Sequence, residues 1–344
     1  MFVQPRNLSI LTTRRCPAAC DHCSVGAGPR ETVAIPIDRI HRLIDEARRI
    51  PSIERIGFSG GECFLLGRDL DDLVAHAADL GFITRVITNG YWAVNDRAAR
   101  ERIAAIRARG LNEMMLSTGT FHQLFVPVGR VIAAARAAVN AGIVTRVSIE
   151  ACDQSAFDEA TLCTELADLV AAGSLVLARD PWIPDAGGRG ATELSHERYL
   201  AEVGSYTVGR CAQILDVLSV TSDQQLMACC GFPSEQLPAL RIGSVADRPL
   251  DEMLGSTPDE LLKKWLHVSG PAGIAAFVAH HLPGYALPTS ASICQACVAL
   301  QRDGRAMRVI SDHAADVAQL VDDAFVRLQL DPQRSRTLPN AART

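Results

Sequence analysis

Residues 55–88 read RIGFSGGECFLLGRDLDDLVAHAADLGFITRVIT and contain one complete strand–helix–strand unit. Arg55–Phe58 and Thr84–Thr88 are short apolar runs of the kind that favours strands. Between them, Leu70–Leu80 places its apolar residues three and four positions apart, which is the period of an amphipathic helix. This order predicts two parallel strands joined by a crossover helix.

The same alternation continues through about the first 180 residues. Further strands are predicted at Leu8–Leu11, Glu113–Ser117, Thr145–Glu150 and Ser174–Ala178, and further helices near Ile37–Ile50, Asp96–Arg109, Val126–Ala141 and Phe157–Ala172. The predicted fold class is therefore α/β, with a parallel sheet that is either open or closed into a barrel. In such folds the chemistry lies at the carboxyl edge of the strands, where this chain has polar and glycine residues.

The composition is that of a globular protein without a strong excess of charge. Of 344 residues, 48% are hydrophobic and 21% are charged, and the formal net charge is −5. This charge gives no electrostatic reason to expect a nucleic-acid partner. The N-terminus lacks the layout of a signal peptide, and no apolar run is long enough to span a bilayer. We therefore expect a cytoplasmic protein with neither a nucleic-acid nor a membrane partner.

The regular alternation of strands and helices stops after about residue 180. Pro184–Gly190 is rich in glycine and predicts a loop or an interdomain linker. Beyond it, the pattern predicts a hairpin, two helices and an interrupted segment that ends at Pro288; the hairpin strands are Ala212–Val220 and Leu226–Cys229 around the turn Thr221–Gln225, and the helices are Leu250–Trp265 and Arg305–Leu328. We predict a first domain over 1–183, a second over 184–330 and a flexible tail over 331–344.

The chain has eleven cysteines, which need an explanation because disulfides are rare in a reducing compartment. Cys16, Cys20 and Cys23 follow the first predicted strand with CxxxCxxC spacing. Three thiolates within one loop can converge on one metal centre, and iron–sulfur clusters are the usual recipients of such sets. A zinc site of three cysteines and His22 is the alternative, together with chance clustering.

These residues resemble the radical S-adenosylmethionine (SAM) superfamily. The resemblance is carried by the three cysteines with His22 before the last of them, by Gly60-Gly61-Glu62 after the second strand, and by Thr88-Asn89-Gly90 after the third. It covers about the first 180 residues and implies a partial (β/α)6 TIM-like barrel. It further implies a 4Fe-4S cluster on the cysteines, with SAM on the open iron. One electron then cleaves SAM to a 5′-deoxyadenosyl radical, which abstracts hydrogen from a substrate.

The resemblance also implies which residues bind SAM. Gly60 and Gly61 allow a close backbone approach, and Glu62 suits the ammonium or sulfonium region of SAM. The remaining candidates are spread over four elements: His22 beside the adenine, Asn89 and Ser117 at SAM or its ribose, and Arg146 at the SAM carboxylate. Many relatives have Ser-x-Asp where this chain has Ser117-Thr118-Gly119, so the carboxylate of the ribose contact is missing. Arg146 is equally well explained as a solvated arginine. His122 is a candidate substrate contact or acid–base group, and the favoured alternative is a satisfied loop histidine.

A second set of cysteines lies in the C-terminal part. Cys294 and Cys297 form a CxxC pair, and Cys211 and Cys229 bracket the predicted hairpin. Four thiolates would close a second cluster without a free iron. The arrangement resembles the SPASM/twitch extension of radical SAM enzymes, which implies an auxiliary 4Fe-4S cluster. A zinc knuckle is the alternative.

Cys229 and Cys230 are adjacent, and neighbouring residues of a strand point to opposite faces. We therefore predict that Cys229 is the cluster ligand. We further predict that Cys230 is catalytic, facing the substrate and donating a hydrogen atom to a carbon radical.

The resemblance to SPASM/twitch enzymes implies a peptide substrate, such as a short ribosomal precursor. The reaction would be an epimerisation, a crosslink or a thioether, with an electron donor such as flavodoxin or ferredoxin. Two alternatives are a radical SAM enzyme acting on a small molecule, and a non-catalytic iron–sulfur or zinc-binding protein. The last would not explain why the Gly-Gly-Glu and Thr-Asn-Gly motifs fall on the same edge of the sheet.

Overall fold

The structure is a computed structural model, and it describes residues 3–150, 157–179, 189, 209–231, 234–255, 261–290 and 292–331. Six parallel strands form its first part, and each begins and ends within two residues of the prediction. They are β1 (Asn7–Leu11), β2 (Arg55–Ser59), β3 (Ile83–Thr88), β4 (Glu113–Gly119), β5 (Val144–Glu150) and β6 (Leu175–Arg179). The predicted α/β class with a parallel sheet is confirmed.

One helix follows each of the first five strands. These helices are α1 (Ile37–Arg48), α2 (Arg68–Asp79), α3 (Asp96–Ala108), α4 (Val128–Asn140) and α5 (Glu159–Ala171). In α2 the buried residues are Leu70, Leu73, Val74 and Ala77, the stripe that the sequence pattern predicts. The helices therefore cover one face of the sheet with apolar side chains, as crossover helices of parallel strands do.

The sheet has nine strands in the order β6-β5-β4-β3-β2-β1, followed by β7 (Val217–Val220), β8 (Gln225–Met227) and β9 (Arg241–Ser244). Strand β7 pairs with β1 in parallel, whereas β8 and β9 are antiparallel to their neighbours. The predicted hairpin is thus confirmed as β7 and β8, with shorter strands. It extends the sheet of the first part instead of forming a sheet of its own.

The two faces of the sheet differ in chemistry. On the helix side, Ile10 pairs with Phe58 and Phe58 with Val86, and all three are fully buried. The other face, called here the inner face, carries polar side chains. Near the amino ends of the strands, Glu113 binds Arg55 through two hydrogen bonds of 3.0 and 3.1 Å and accepts one of 2.6 Å from Arg85. This ion cluster, called here the floor, joins β2, β3 and β4.

Five helices complete the described C-terminal part: α6 (Leu250–Gly255), α7 (Leu261–His281), α8 (Ile293–Arg302), α9 (Gly304–Asp312) and α10 (Ala314–Leu330). The last four of them enclose a second apolar core that includes Trp265, Leu266 and Phe325. The fold places this core beside the β7–β8 hairpin, because Met227 and Ala228 also belong to it. The buried residues of α6 belong instead to the core of the first part.

Two predictions for this part were wrong in detail. The segment after Trp265 was predicted to be irregular but is helical as far as His281. It is kinked at Gly270, which takes a positive φ of 67°, and Pro271 begins the helical stretch after the kink. The helix predicted over Arg305–Leu328 is two helices, because His313 leaves helical geometry with φ −108° and ψ 17°. Gly270 and Pro271 therefore change the direction of α7 at the place where the pattern had predicted an irregular segment.

Three further points concern what the prediction said of the chain as a whole. The predicted boundary at 183–184 and residues 332–344 of the predicted tail lie outside the described residues. No helix in the described part is long and apolar enough to cross a membrane.

Candidate functional site

The loop after β1 carries the first three cysteines. Its backbone is held by bridges from Thr13 to Ala34 and from Arg15 to Gly28. Cys16 and Cys20 are buried and Cys23 is half-buried. The Ala18 amide lies 3.5 Å from the Cys16 sulfur, and the Ala27 amide lies 3.3 Å from the Cys23 sulfur. The three thiols therefore share one small cluster of the fold, as the spacing predicted.

Burial changes the acidity of the Cys16 and Cys20 thiols. It raises the pKa of Cys16 to about 12 and raises that of Cys20 further, since a thiolate loses its hydration there. A buried set of thiolates is stable only beside compensating positive charge. An iron–sulfur centre supplies that charge, so the donor set fits such a group.

Gly60 and Gly61 bring β2 against the cysteine loop. Gly60 has a φ of 138°, and a Cβ there would lie 2.5 Å from the Thr13 carbonyl oxygen. A Cβ on Gly61 would lie 2.4 Å from the Arg15 carbonyl oxygen, and its amide donates to Thr13 O at 2.5 Å. In the structure, what the two glycines approach is the backbone of the cysteine loop. That is a more specific role than the close approach to a ligand that the sequence suggested.

Glu62 is fully buried and ties three segments together. Its Oε1 accepts from the Thr88 hydroxyl at 2.7 Å and from the Phe64 amide at 3.1 Å, and its Oε2 accepts from the Asn89 amide at 2.8 Å. Burial raises its pKa to about 7, while these hydrogen bonds act in the opposite direction.

Asn89 connects this carboxylate to the first cysteine. Its Nδ2 lies 3.5 Å from the Cys16 sulfur, and its Oδ1 accepts from the Tyr91 amide at 3.0 Å. The Gly-Gly-Glu and Thr-Asn-Gly motifs therefore meet at the cysteine loop. The sequence order of the motifs predicted this meeting at the carboxyl edge, and the structure brings all of them together there.

His22 packs into a cluster that the sequence reasoning largely missed. Its Nε2 lies 2.5 Å from Glu150 Oε2, at the end of β5. Its ring stacks on Phe121 at 4.9 Å between centroids and meets His122 edge-on at 4.7 Å. The ligand atoms of His22, His122 and Glu150 lie within 4.8 Å of one another. The available signal for Glu150 was its position at the end of a strand, which did not indicate its partner.

Glycine again permits the close contact. Gly119 has a φ of 141°, and a Cβ on it would lie 1.8 Å from the Glu150 carbonyl oxygen. Burial raises the pKa of Glu150, but the adjacent His22 outweighs it and the pKa lies below the usual range. Burial, followed by His22, lowers the pKa of His122 to about 4. The cluster thus places an ionised carboxylate behind the ring of His22.

Ser117 and Arg146 lie deeper on the inner face. Ser117 pairs with Ser148 across β4 and β5, and the Arg146 Nε donates to the Ser148 hydroxyl at 3.2 Å. Arg146 is only half-buried. Both residues line the inner face of the sheet, below its carboxyl edge. Their predicted contacts with SAM stay predictions.

The four cysteines of the second set line one cavity. Two of them flank the hairpin and two lie one turn apart on α8: Cys211, Cys229, Cys294 and Cys297. The cavity is otherwise apolar, with walls that include Ile214, Leu240 and Leu266. Burial raises the pKa of all four thiols. As at the first loop, such a donor set fits a positively charged metal centre.

Local hydrogen bonds hold the segments that carry these thiols. The Ser292 hydroxyl accepts from the Gln295 amide at 3.2 Å and so caps the start of α8. The Cys229 sulfur accepts from the Gly231 amide at 3.1 Å, and Gln301 donates to the Cys297 sulfur at 3.0 Å.

Cys230 does not line this cavity. Its thiol donates to Gln213 Oε1 at 3.2 Å. Burial, followed by Cys211, raises its pKa to about 12, and Arg85 of the floor acts in the opposite direction. Strand β8 runs antiparallel to β7, and Cys230 comes three residues after its end. Cys230 therefore lies toward the amino ends of the parallel strands, at the edge of the sheet opposite to the cysteine loop.

Three thiols follow the first strand of the parallel sheet, two of them buried, and two glycine motifs pack against them. This arrangement is that of an α/β protein with a candidate metal site at the carboxyl edge of its sheet. Residues 10–152 match the radical SAM superfamily. These residues therefore form a radical SAM domain. This superfamily implies a 4Fe-4S cluster and SAM as cofactors.

Two curated relatives and one solved structure are similar to the chain. YydG of Bacillus subtilis (strain 168), named as a peptide biosynthesis protein, is 27% identical over 121 residues, or 35% of this chain. PqqA peptide cyclase of Rhodopseudomonas palustris is 34% identical over 120 residues, or 34% of this chain. Streptococcus suis SuiB bound to S-adenosylmethionine is 14% identical with a TM-score of 0.46, over 85% of this chain and 78% of that one. The chain spans only 38% of YydG and 29% of the cyclase.

Proposed function

We propose that the protein is a radical SAM enzyme that modifies a peptide. The observation that carries this proposal is the convergence of Glu62, Asn89 and Cys16 on one loop of a radical SAM domain. The similarity to YydG and to PqqA peptide cyclase supports a peptide as the substrate, since both names refer to peptides.

In this proposal Cys16, Cys20 and Cys23 hold the 4Fe-4S cluster. When bound, the cluster and SAM supply a 5′-deoxyadenosyl radical that removes a hydrogen atom from the substrate. Glu62 and Asn89 fix the loop, as their hydrogen bonds suggest. Glu150 holds the His22 ring for contact with the adenine. Arg146 and Ser117 lie on the inner face, where the substrate would lie.

The second cysteine set is proposed to hold an auxiliary 4Fe-4S cluster in a twitch-like domain over 184–330. The shared cavity of the four thiols supports this assignment. A closed cluster there could exchange electrons with the substrate side of the protein, and flavodoxin or ferredoxin would supply the electron for the first cluster.

Cys230 is proposed as the residue that returns a hydrogen atom to the substrate. Strand β1 runs from the floor to the cysteine loop and has five residues, so these two ends lie about 13 Å apart at about 3.3 Å per residue. A peptide on the inner face would then lie between the radical source and the thiol. Loss of hydrogen on one side and its return from the other inverts the carbon centre, so the geometry favours epimerisation over a crosslink. The sulfur radical left on Cys230 takes one electron from the proposed auxiliary cluster and one proton from solvent, and so becomes a thiol again.

The test is co-expression with a short peptide encoded beside this gene, in deuterated water. Because a thiol proton exchanges with solvent, an epimerised residue gains one deuterium, whereas a crosslink removes two hydrogens. Replacing Cys230 by Ala is expected to abolish deuterium gain, and Cys163→Ala, an exposed cysteine on α5, is the matched control. A Cys230→Ala enzyme that still gives the deuterated product would overturn the role of Cys230. A peptide left unmodified by the wild-type enzyme would contradict the peptide as substrate.

A further inference from the structure

Arg189 comes from the segment predicted as a linker, and its side chain lies against the cysteine loop. Its Nη2 donates to the Ala27 carbonyl at 2.6 Å and to the Cys20 carbonyl at 2.9 Å, and its Nε donates to Cys20 O at 3.2 Å. Its Nη1 donates to the Gly26 carbonyl at 3.2 Å, and its backbone amide donates to Cys23 O at 3.3 Å. Five hydrogen bonds therefore join one residue to the loop.

These bonds connect distant points of the loop. Cys20 lies between the first and third cysteines, whereas Gly26 and Ala27 lie beyond the third. A guanidinium presents five N–H donors in a rigid plane, so it can bridge three carbonyls that a single ammonium could not satisfy together. Arg189 thus fixes the path of the backbone on both sides of Cys23.

Arg189 also brings a positive charge to the cysteine loop. Its guanidinium donates two hydrogen bonds to the Cys20 carbonyl, so its positive charge lies next to a residue that is predicted to hold the cluster. The same charge would favour any further negative charge placed on the loop. A cluster held by three thiolates becomes more negative when it is reduced, and net charge and hydrogen bonding are among the factors that set its potential.

We propose that Arg189 is a positioning residue of the SAM cluster, one that shapes the cysteine loop and stabilises the reduced cluster. This inference rests on the proposed function, because it requires a 4Fe-4S cluster on Cys16, Cys20 and Cys23. It assigns a role in cluster reduction to a residue outside the matched domain of residues 10–152.

The measurement is a redox titration of the reconstituted full-length protein, followed by electron paramagnetic resonance with and without SAM. SAM alters only the signal of the cluster with the open iron, which separates it from a second cluster. In Arg189→Gln the ratio of reduced to oxidised cluster at a fixed potential is expected to fall about tenfold, which is about 59 mV for a one-electron couple. Arg30→Gln removes an exposed charge from the same region and is expected to match wild type.

Arg189→Lys separates the charge from the hydrogen bonds. We expect it to keep most of the potential, because the charge remains, and to lose iron faster to a chelator, because the carbonyls lose their donors. If Arg189→Gln folds but retains no SAM-responsive cluster, the loop depends on Arg189 and the proposal stands. If Arg189→Gln does not fold, Arg189→Lys is the test: faster loss of iron to the chelator than from wild type supports the proposal, and an equal rate overturns it.

Wild-type potential and wild-type chelator resistance in both variants would overturn the inference. That result would leave the proposed function intact, since the cluster would be present and responsive to SAM. A wild-type protein without any SAM-responsive cluster would instead overturn the proposed function itself.

Discussion

At the scale of single residues, Glu62 shows how a motif residue can be structural and functional at once. Its carboxylate is fully buried, and it accepts hydrogen bonds from Thr88, Asn89 and Phe64. Asn89 in turn contacts the Cys16 sulfur. A change at Glu62 is therefore transmitted to the cysteine loop through a single intervening residue.

Glu62→Gln is expected to lower the free energy of unfolding by about 1–3 kcal/mol, because one buried acceptor becomes a donor facing the Asn89 amide. Burial raises the pKa of Glu62 to about 7 in the folded protein. The folded state therefore holds this proton more tightly than the unfolded state, so the contribution of Glu62 is complete below about pH 4 and is lost as the pH rises through about 7. The amide introduced by Glu62→Gln cannot ionise, so the deficit of the variant should shrink between about pH 4 and about pH 7.

Urea unfolding across this range measures the effect. Glu252→Gln, at an exposed position on α6, is the control and should show neither the deficit nor its pH dependence. A deficit that grows with pH would contradict the assignment of a raised pKa to Glu62.

Iron content tests the second cysteine set. Reconstituted wild-type protein is expected to bind about eight irons, four in each of two clusters. Cys297→Ala is expected to bind about four, because its thiol lines the cavity with the other three. Cys163→Ala changes an exposed thiol and should bind as much iron as wild type. Equal iron in all three proteins, or zinc in place of iron, would contradict an auxiliary iron–sulfur cluster.

The sequence predicted most of the first site because its motifs are local. The spacing of the three cysteines and the order of the glycine motifs sufficed to bring these residues to one edge of the sheet. The His22–Glu150 contact and the bonds from Arg189 to Cys20 could not be predicted in the same way. They join residues 128 and 169 positions apart, and their geometry depends on how β4, β5 and the linker pack.

At the scale of elements, α7 shows how one glycine shapes the second core. Gly270 has a φ of 67°, and a Cβ there would lie 1.9 Å from the Gly209 carbonyl oxygen. Leu266 and Pro271, on either side of the kink, both line the cavity of the second cysteine set. The kink is thus part of what shapes this cavity.

Gly270→Ala is expected to cost more than about 2 kcal/mol, because the new methyl group both clashes with backbone and requires a left-handed conformation. Gly129→Ala is the matched control within α4, where a Cβ meets no atom within 4 Å. It should be neutral or stabilising by up to about 1 kcal/mol. Thermal unfolding of the two variants gives the comparison, and equal melting temperatures would contradict the kink as described.

The element pattern also shows where sequence reasoning stops. The strands and helices of the first part were predicted to within three residues, since their apolar periods are regular. In the C-terminal part, single residues interrupt the helical stretches: Gly270 kinks α7, and His313 separates α9 from α10. The apolar pattern continues across His313, so the sequence predicted one helix where there are two. The Gly270-Pro271 pair predicted an irregular segment, although it lies between two helical stretches.

At the scale of the whole molecule, one sheet unites the two parts of the chain. Strand β1 lies between β2 and β7, and it pairs with β7 from Asn7 with Val217 to Ile10 with Val220. The predicted domains at 1–183 and 184–330 would therefore share a sheet. Each part would expose an unpaired strand edge on its own.

A fragment of residues 1–183 is accordingly expected to aggregate or to unfold without cooperativity, whereas the full chain is expected to be monodisperse. Light scattering and thermal unfolding of both proteins test this. A fragment that is monomeric and unfolds cooperatively would show that the first part is independent of β7.

The central claim is that this chain cleaves SAM at a cluster held by Cys16, Cys20 and Cys23. It is tested most directly by quantifying 5′-deoxyadenosine after anaerobic incubation of the reconstituted protein with SAM and a strong reductant. Wild type and Cys163→Ala are expected to form the product, and Cys20→Ala to form none. The absence of 5′-deoxyadenosine from wild-type protein that carries its iron, or its formation by Cys20→Ala, would contradict the claim.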